Sequence, residues 1–146
     1  MMTRLEYQDQ PISAPENVQG LSISNILKAI ADDTSLVLFN TIALAGGDSD
    51  ILITRLGVTR KQFYSRMSNL QKTGLISRTN RRYMLTSFGF IIYDAQMTIG
   101  RATSTYWNLK AIDSLESHEL PADERNKIIN TLIENQDIVK ILVNQP

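Results

Sequence analysis

The chain has 146 residues, 42% apolar and 21% charged, which is enough for a core in one domain with terminal decoration. It has no cysteine and one histidine, His118, which excludes a disulfide framework and thiolate metal sites and would leave a zinc site dependent on carboxylates. Net charge is zero, so charge can inform function only through its distribution along the chain.

Residues 1–20 are polar, with Pro11 and Pro15 and no periodicity, and read as a flexible arm. No charged-then-apolar leader opens the chain and no long apolar run follows, so a cytoplasmic protein without a membrane span is expected. Residues 22–31 place Ile23, Ile26, Leu27 and Ile30 at helical spacing. Asp32 and Asp33 interrupt that helix and can cap the next, residues 34–45, whose expected buried stripe is Leu36, Phe39, Ile42 and Ala43. Gly46-Gly47 ends it, and Asp48 or Ser49 caps a short helix reaching Leu56.

The four residues Leu56-Gly57-Val58-Thr59 then form a turn. Gly57 can adopt the left-handed conformation that closes a helix, Val58 gives the turn an apolar residue to bury, and Thr59 with Gln62 makes a capping box. The helix that follows, residues 60–73, completes a helix-turn-helix unit and stops at Gly74. Residues 75–79 and 82–86 read as two short strands with Asn80-Arg81 at the tip, a basic hairpin or wing.

From Ser87 the helical period returns. Phe88, Ile92, Ala95, Ile99, Ala102, Tyr106 and Leu109 alternate spacings of four and three, a heptad seam long enough to meet a partner helix, although a core helix lying across the domain would show the same pattern. Pro121 starts another helix, with Ile128, Ile129, Leu132 and Ile133 as its stripe, and residues 135–137 bend the chain before Ile138, Ile141 and Leu142.

Between Ile51 and Tyr93 there is no Asp or Glu, while Arg55, Arg60, Lys61, Arg66, Lys72, Arg78, Arg81 and Arg82 all fall there. A neutral chain with its cations so confined has a basic face. On helix 60–73, Phe63, Met67 and Leu70 share the buried sector, and Lys61, Tyr64, Ser65, Ser68 and Lys72 lie opposite, flanked by Gln62 and Asn69. Such a face carries hydrogen-bonding and cationic groups and no carboxylate to repel phosphate. In a helix-turn-helix the start of the second helix meets base edges, so Arg60, Lys61, Gln62, Tyr64 and Ser65 are the candidate base readers. Thr59, Arg66, Ser68 and Asn69 complete the helix surface. Arg78, Asn80, Arg81 and Arg82 would meet backbone or minor groove, and Arg55 and Lys72 phosphate. Tyr64 could stack on a sugar or base, or pack on the wing.

Residues 26–90 resemble winged-helix transcription regulators of the ArsR-like and MarR-like groups, including small archaeal regulators of that type. The resemblance is carried by Leu27-Lys28-Ala29-Ile30-Ala31-Asp32-Asp33, Leu56-Gly57-Val58-Thr59, Asn69-Leu70-Gln71-Lys72-Thr73-Gly74-Leu75-Ile76 and Leu85-Thr86-Ser87-Phe88-Gly89. It implies a homodimer on a roughly palindromic double-stranded DNA operator, with terminal helices forming the dimer. It departs from metal-sensing members, which use Cys and His.

The expected fold is therefore mostly α with a small β-hairpin wing. It comprises an arm (1–20), a winged helix-turn-helix (21–90) and a helical dimerisation region (87–146) with one long helix and a further terminal helix. His118 reads as a surface residue. No nucleophile with a base partner, phosphate-cradling loop or metal motif is present, so neither catalysis nor a cofactor is expected, and nothing points to a small-molecule effector. The rival readings are a winged-helix adaptor that binds proteins within a larger assembly, and a sequence-independent architectural protein.

Overall fold

A computed structural model describes residues 21–116 and 119–145. The expected arm and His118 lie outside the described residues. By its contacts the chain divides into two units, one ending at Phe90 and one beginning at Ile91.

In the first unit, α1 (Ile23–Ile30) is capped by Ser22 and buries Ile26, Ala29 and Ile30, leaving Ile23 and Leu27 exposed. The α2 helix (Asp33–Ala45) is capped by Asp32, whose carboxylate accepts from the Ser35 N–H at 2.9 Å. Its buried face is Ser35, Leu38, Phe39 and Ile42, with Leu36 and Ala43 only half-buried. The expected stripe is displaced because apolar residues surround this helix almost completely, and periodicity cannot then select a face.

After Gly46, at φ +64, residues Gly47–Asp48 form a short strand, β1. Asp48 also caps α3 (Ser49–Leu56), accepting from the Ile51 N–H at 2.9 Å. Gly57 closes α3 in the left-handed conformation, and the Thr59–Gln62 capping box opens α4 (Arg60–Lys72). The Thr59 hydroxyl accepts from the Gln62 N–H at 3.1 Å, and the Gln62 side-chain oxygen from the Thr59 N–H at 3.3 Å. Thr59→Ala is expected to lower stability by about 1 kcal/mol, measurable by urea unfolding followed by circular dichroism.

The α4 helix buries Phe63, Met67 and Leu70. The wing follows as β2 (Ile76–Thr79) and β3 (Arg82–Leu85), antiparallel, with Arg78 opposite Tyr83 and Thr79 opposite Arg82. Asn80 and Arg81, at φ +52 and +66, make the two-residue turn. The β1 strand adds to the free edge of β3, Gly47 opposite Tyr83 and Asp48 opposite Arg82, giving sheet order β1-β3-β2. The sequence did not point to β1, since Gly-Gly-Asp reads as a helix stop and a cap and carries no strand pattern. Thr86 closes the wing. Its hydroxyl donates to the Gly74 carbonyl at 2.5 Å and accepts from the Gly89 N–H at 2.9 Å, which joins the end of α4 to the start of the next helix.

That helix, α5 (Ser87–Ser104), carries the chain into the second unit, followed by α6 (Tyr106–Glu116), α7 (Ala122–Leu132) and α8 (Gln136–Val143). The expected single long helix is interrupted at Thr105, whose hydroxyl donates to the Arg101 carbonyl at 3.0 Å. Side-chain bonding of this kind back to the preceding turn competes with the helical ladder. Pro121 occupies the N-cap position of α7 without a side-chain cap bond, and Asn135 caps α8 through the Ile138 N–H. Ile112, Ile129, Ile133, Ile138 and Val139 form a core within this unit, with Ala102, Leu109, Leu132, Leu142 and Val143 packed against it. The seam therefore divides. Ala102 and Leu109 help cover this core, Phe88 and Ile92 are half-buried, and Ala95, Ile99 and Tyr106 are exposed. Among the described residues no helix is long and apolar enough to cross a membrane.

Candidate nucleic-acid interface

At 100° per residue, α4 presents three surfaces once Phe63, Met67 and Leu70 are turned inward. Lys61, Ser65, Ser68 and Lys72 lie opposite the buried sector, and all are exposed. Arg60 and Tyr64 occupy the flank on the wing side, and Arg66 and Asn69 the other. The cavities agree with this arrangement. A cleft of about 570 Å³ is lined by Arg60 and Tyr64 from α4, Arg78, Asn80, Arg81 and Arg82 from the wing, and Asp48, Ser49 and Asp50 from the start of α3. A second recess, about 370 Å³, is lined by Ser65, Arg66, Ser68, Asn69 and Lys72 together with Asp32 and Ser35 from the α2 N-terminus. Arg55, exposed in the last turn of α3, lines neither.

The cationic groups are held in different ways. Arg78 stacks over the Tyr83 ring, its guanidinium carbon 5.3 Å from the centroid, while Tyr83 itself is buried and meets Phe63 edge-to-face. This cation–π contact fixes the direction of an otherwise floppy side chain. Arg60 donates to the Asp50 carboxylate at 3.1 Å. Arg66 lies 3.4 Å from the Asp32 carboxylate. Burial disfavours the charge on Asp32, but hydrogen bonds from Ser35 and the nearby Arg66 outweigh it, so the carboxyl sits below its ordinary value. Arg66 thus fastens α4 to the cap of α2 more than it extends outward.

Two sequence expectations change in detail. Thr59 and the side-chain oxygen of Gln62 are committed to the capping box, so a two-point contact from Gln62 to adenine would require that box to open. Tyr64 is 43% exposed in the cleft and meets Phe63 edge-to-face at 5.2 Å. The region is also less free of acid than the chain order suggests. Asp48 and Asp50, just before the acid-free run, fold into the same cleft as four arginines. Only their place at the start of α3 could have signalled this, and that place alone reads as helix capping. Among the described residues no cluster of three potential metal ligands occurs.

No protein-family model matches the chain. No curated protein matches it either. Among solved structures, an ArsR-like transcriptional regulator from Rhodococcus sp. RHA1 is similar to it, at 20% identity and a TM-score of 0.44, over 68% of this chain and 93% of that one. The fold is accordingly defined by the chain's own elements: a helix-turn-helix of α3 and α4 followed by a β2–β3 hairpin on a three-stranded antiparallel sheet, the winged helix-turn-helix.

Proposed function

We propose that the chain is a sequence-specific double-stranded DNA-binding regulator, with α4 entering the major groove and the wing lying on the backbone or in the minor groove. The observation that carries this reading is the cleft in which Arg60 and Tyr64 of α4 meet Arg78, Asn80, Arg81 and Arg82 of the wing, beside the exposed Lys61–Ser65–Ser68–Lys72 face. A major groove about 12 Å wide admits a helix. The N-terminal turn of such a helix meets base edges, while cations on either side neutralise phosphates. Arg60, Lys61, Ser65 and Ser68 are the base-facing candidates, and Arg55, Lys72, Arg81 and Arg82 the phosphate-facing ones.

Homodimerisation is part of the same proposal, carried by the apolar side chains that α5 and α6 leave exposed. Ile91 and Ile99 are 67% and 63% exposed, and Tyr106 and Trp107 stack edge-to-face with Trp107 78% exposed. A two-fold dimer would read two half-sites of one operator. A cytoplasmic location belongs to the same proposal.

Selection of bound sequences from a random duplex pool is expected to return a two-fold symmetric motif. Affinity for it should fall with salt by about −0.9 in log–log slope per phosphate contacted. Recovery of no enriched motif, or a stoichiometric protein partner with no duplex binding at low salt, would reject the proposal.

A further inference from the structure

The contact between Asp50 and Arg60 gives the proposed interface a part that its cations do not explain. Arg60 is the first residue of α4, where a recognition helix is nearest to base edges. Its guanidinium points into the cleft shared with the wing and is held there by one hydrogen bond, donated to Asp50 at 3.1 Å. Both side chains are largely exposed, 68% and 79%, so the pair contributes little to folding. A carboxylate in a phosphate-binding cleft also opposes binding to every duplex alike. The place of Asp50 in the first turn of α3 favours a carboxylate modestly through the helix dipole, but that does not require contact with Arg60, and the contact itself bears on how Arg60 is oriented.

An arginine reads guanine by presenting two parallel N–H groups to O6 and N7. A free arginine at a helix start has several rotamers, only some of which align that fork. One oxygen of Asp50 engages one terminal nitrogen of Arg60 from the cleft side, which restricts those rotamers and leaves the other edge of the guanidinium for a base. We propose that Asp50 is a positioning residue for base selectivity, setting Arg60 to read one guanine·cytosine pair in each half-site while lowering affinity for unrelated DNA. This rests on the DNA-binding reading above.

The test compares wild type, Asp50→Asn, Arg60→Ala and the double variant on the selected duplex. Single-base replacements are made across each half-site, with an unrelated duplex as reference. Asp50→Asn is expected to keep the fold, since the side chain is solvent-facing, and to bind unrelated DNA as tightly as wild type or tighter. It should reduce the preference for guanine at one position from about tenfold to less than threefold. Arg60→Ala should remove preference at that same position, and the double variant should match Arg60→Ala there. If Asp50→Asn tightens binding to all sequences by one factor and leaves every base preference intact, Asp50 acts only as a repelling charge and the inference is overturned. A role confined to the α3 N-terminus would alter unfolding and not base preference, and would overturn it equally. Failure of wild type to bind any duplex would instead reject the underlying DNA-binding reading.

Discussion

Replacing Gly89 by alanine is expected to destabilise the protein by about 3 kcal/mol, lowering the thermal midpoint by about 10 °C. Gly89 lies in the first turn of α5 with ordinary helical backbone angles, so its requirement is for space. A Cβ at this position would drive into the backbone carbonyl of Leu75. Backbone cannot rotate away as a side chain can, and Leu75 is fully buried where α4 leads into the wing. The same Leu75 carbonyl accepts from the Thr86 N–H at 3.1 Å. Displacing it therefore loosens the junction of α4, wing and α5 together. Gly100, further along the same helix, meets nothing within 4 Å of a Cβ, so Gly100→Ala should raise stability by about 1 kcal/mol through helix propensity. Opposite signs for one substitution in one helix would be read by thermal unfolding. Equal effects would contradict the packing described for Gly89.

Arg81→Gly is expected to move stability and DNA binding in opposite directions. Asn80 and Arg81 both adopt left-handed angles at the wing tip, the geometry of a tight hairpin turn, and a non-glycine residue there costs about 1 kcal/mol. Glycine after Asn80 would create the favoured Asn-Gly turn and should stabilise the fold by about that amount. It would also remove the cation nearest the tip, lowering duplex affinity about tenfold at moderate salt and reducing the log–log salt slope by about 0.9 per subunit. Arg81→Lys, which keeps charge and strain, should bind within about threefold of wild type. A strained cation at an exposed tip is the arrangement expected where function rather than folding selects the residue. Unchanged affinity in Arg81→Gly would remove the wing from the interface.

The parts of this architecture written in local chemistry were legible before any coordinates. Gly57, Thr59 and Gln62 define the turn and the start of α4 by left-handed backbone and capping, and these act within a few residues. The α4 core face was equally clear, because its apolar residues are few and fall in one sector. The buried face of α2 was not, since a helix with apolar residues on every side shows no preferred side in sequence. The β1 strand and the approach of Asp50 to Arg60 depend on chain segments meeting in space, and no local pattern encodes either. The heptad seam was legible as a pattern but not in what it packs against. Spacing reports which residues share a helical face and not what covers it. Ala102 and Leu109 pack against the core of their own unit, while Ile99 and Tyr106 are left exposed.

The most direct measurement is a titration of isotope-labelled protein with the selected duplex, followed by backbone amide chemical shifts. Lys61, Ser65 and Ser68 on α4 and Asn80, Arg81 and Arg82 on the wing should shift together, saturating at one duplex ratio and weakening as salt rises. Changes confined to residues 106–115, or to the wing while α4 stays silent, would contradict a two-element duplex surface.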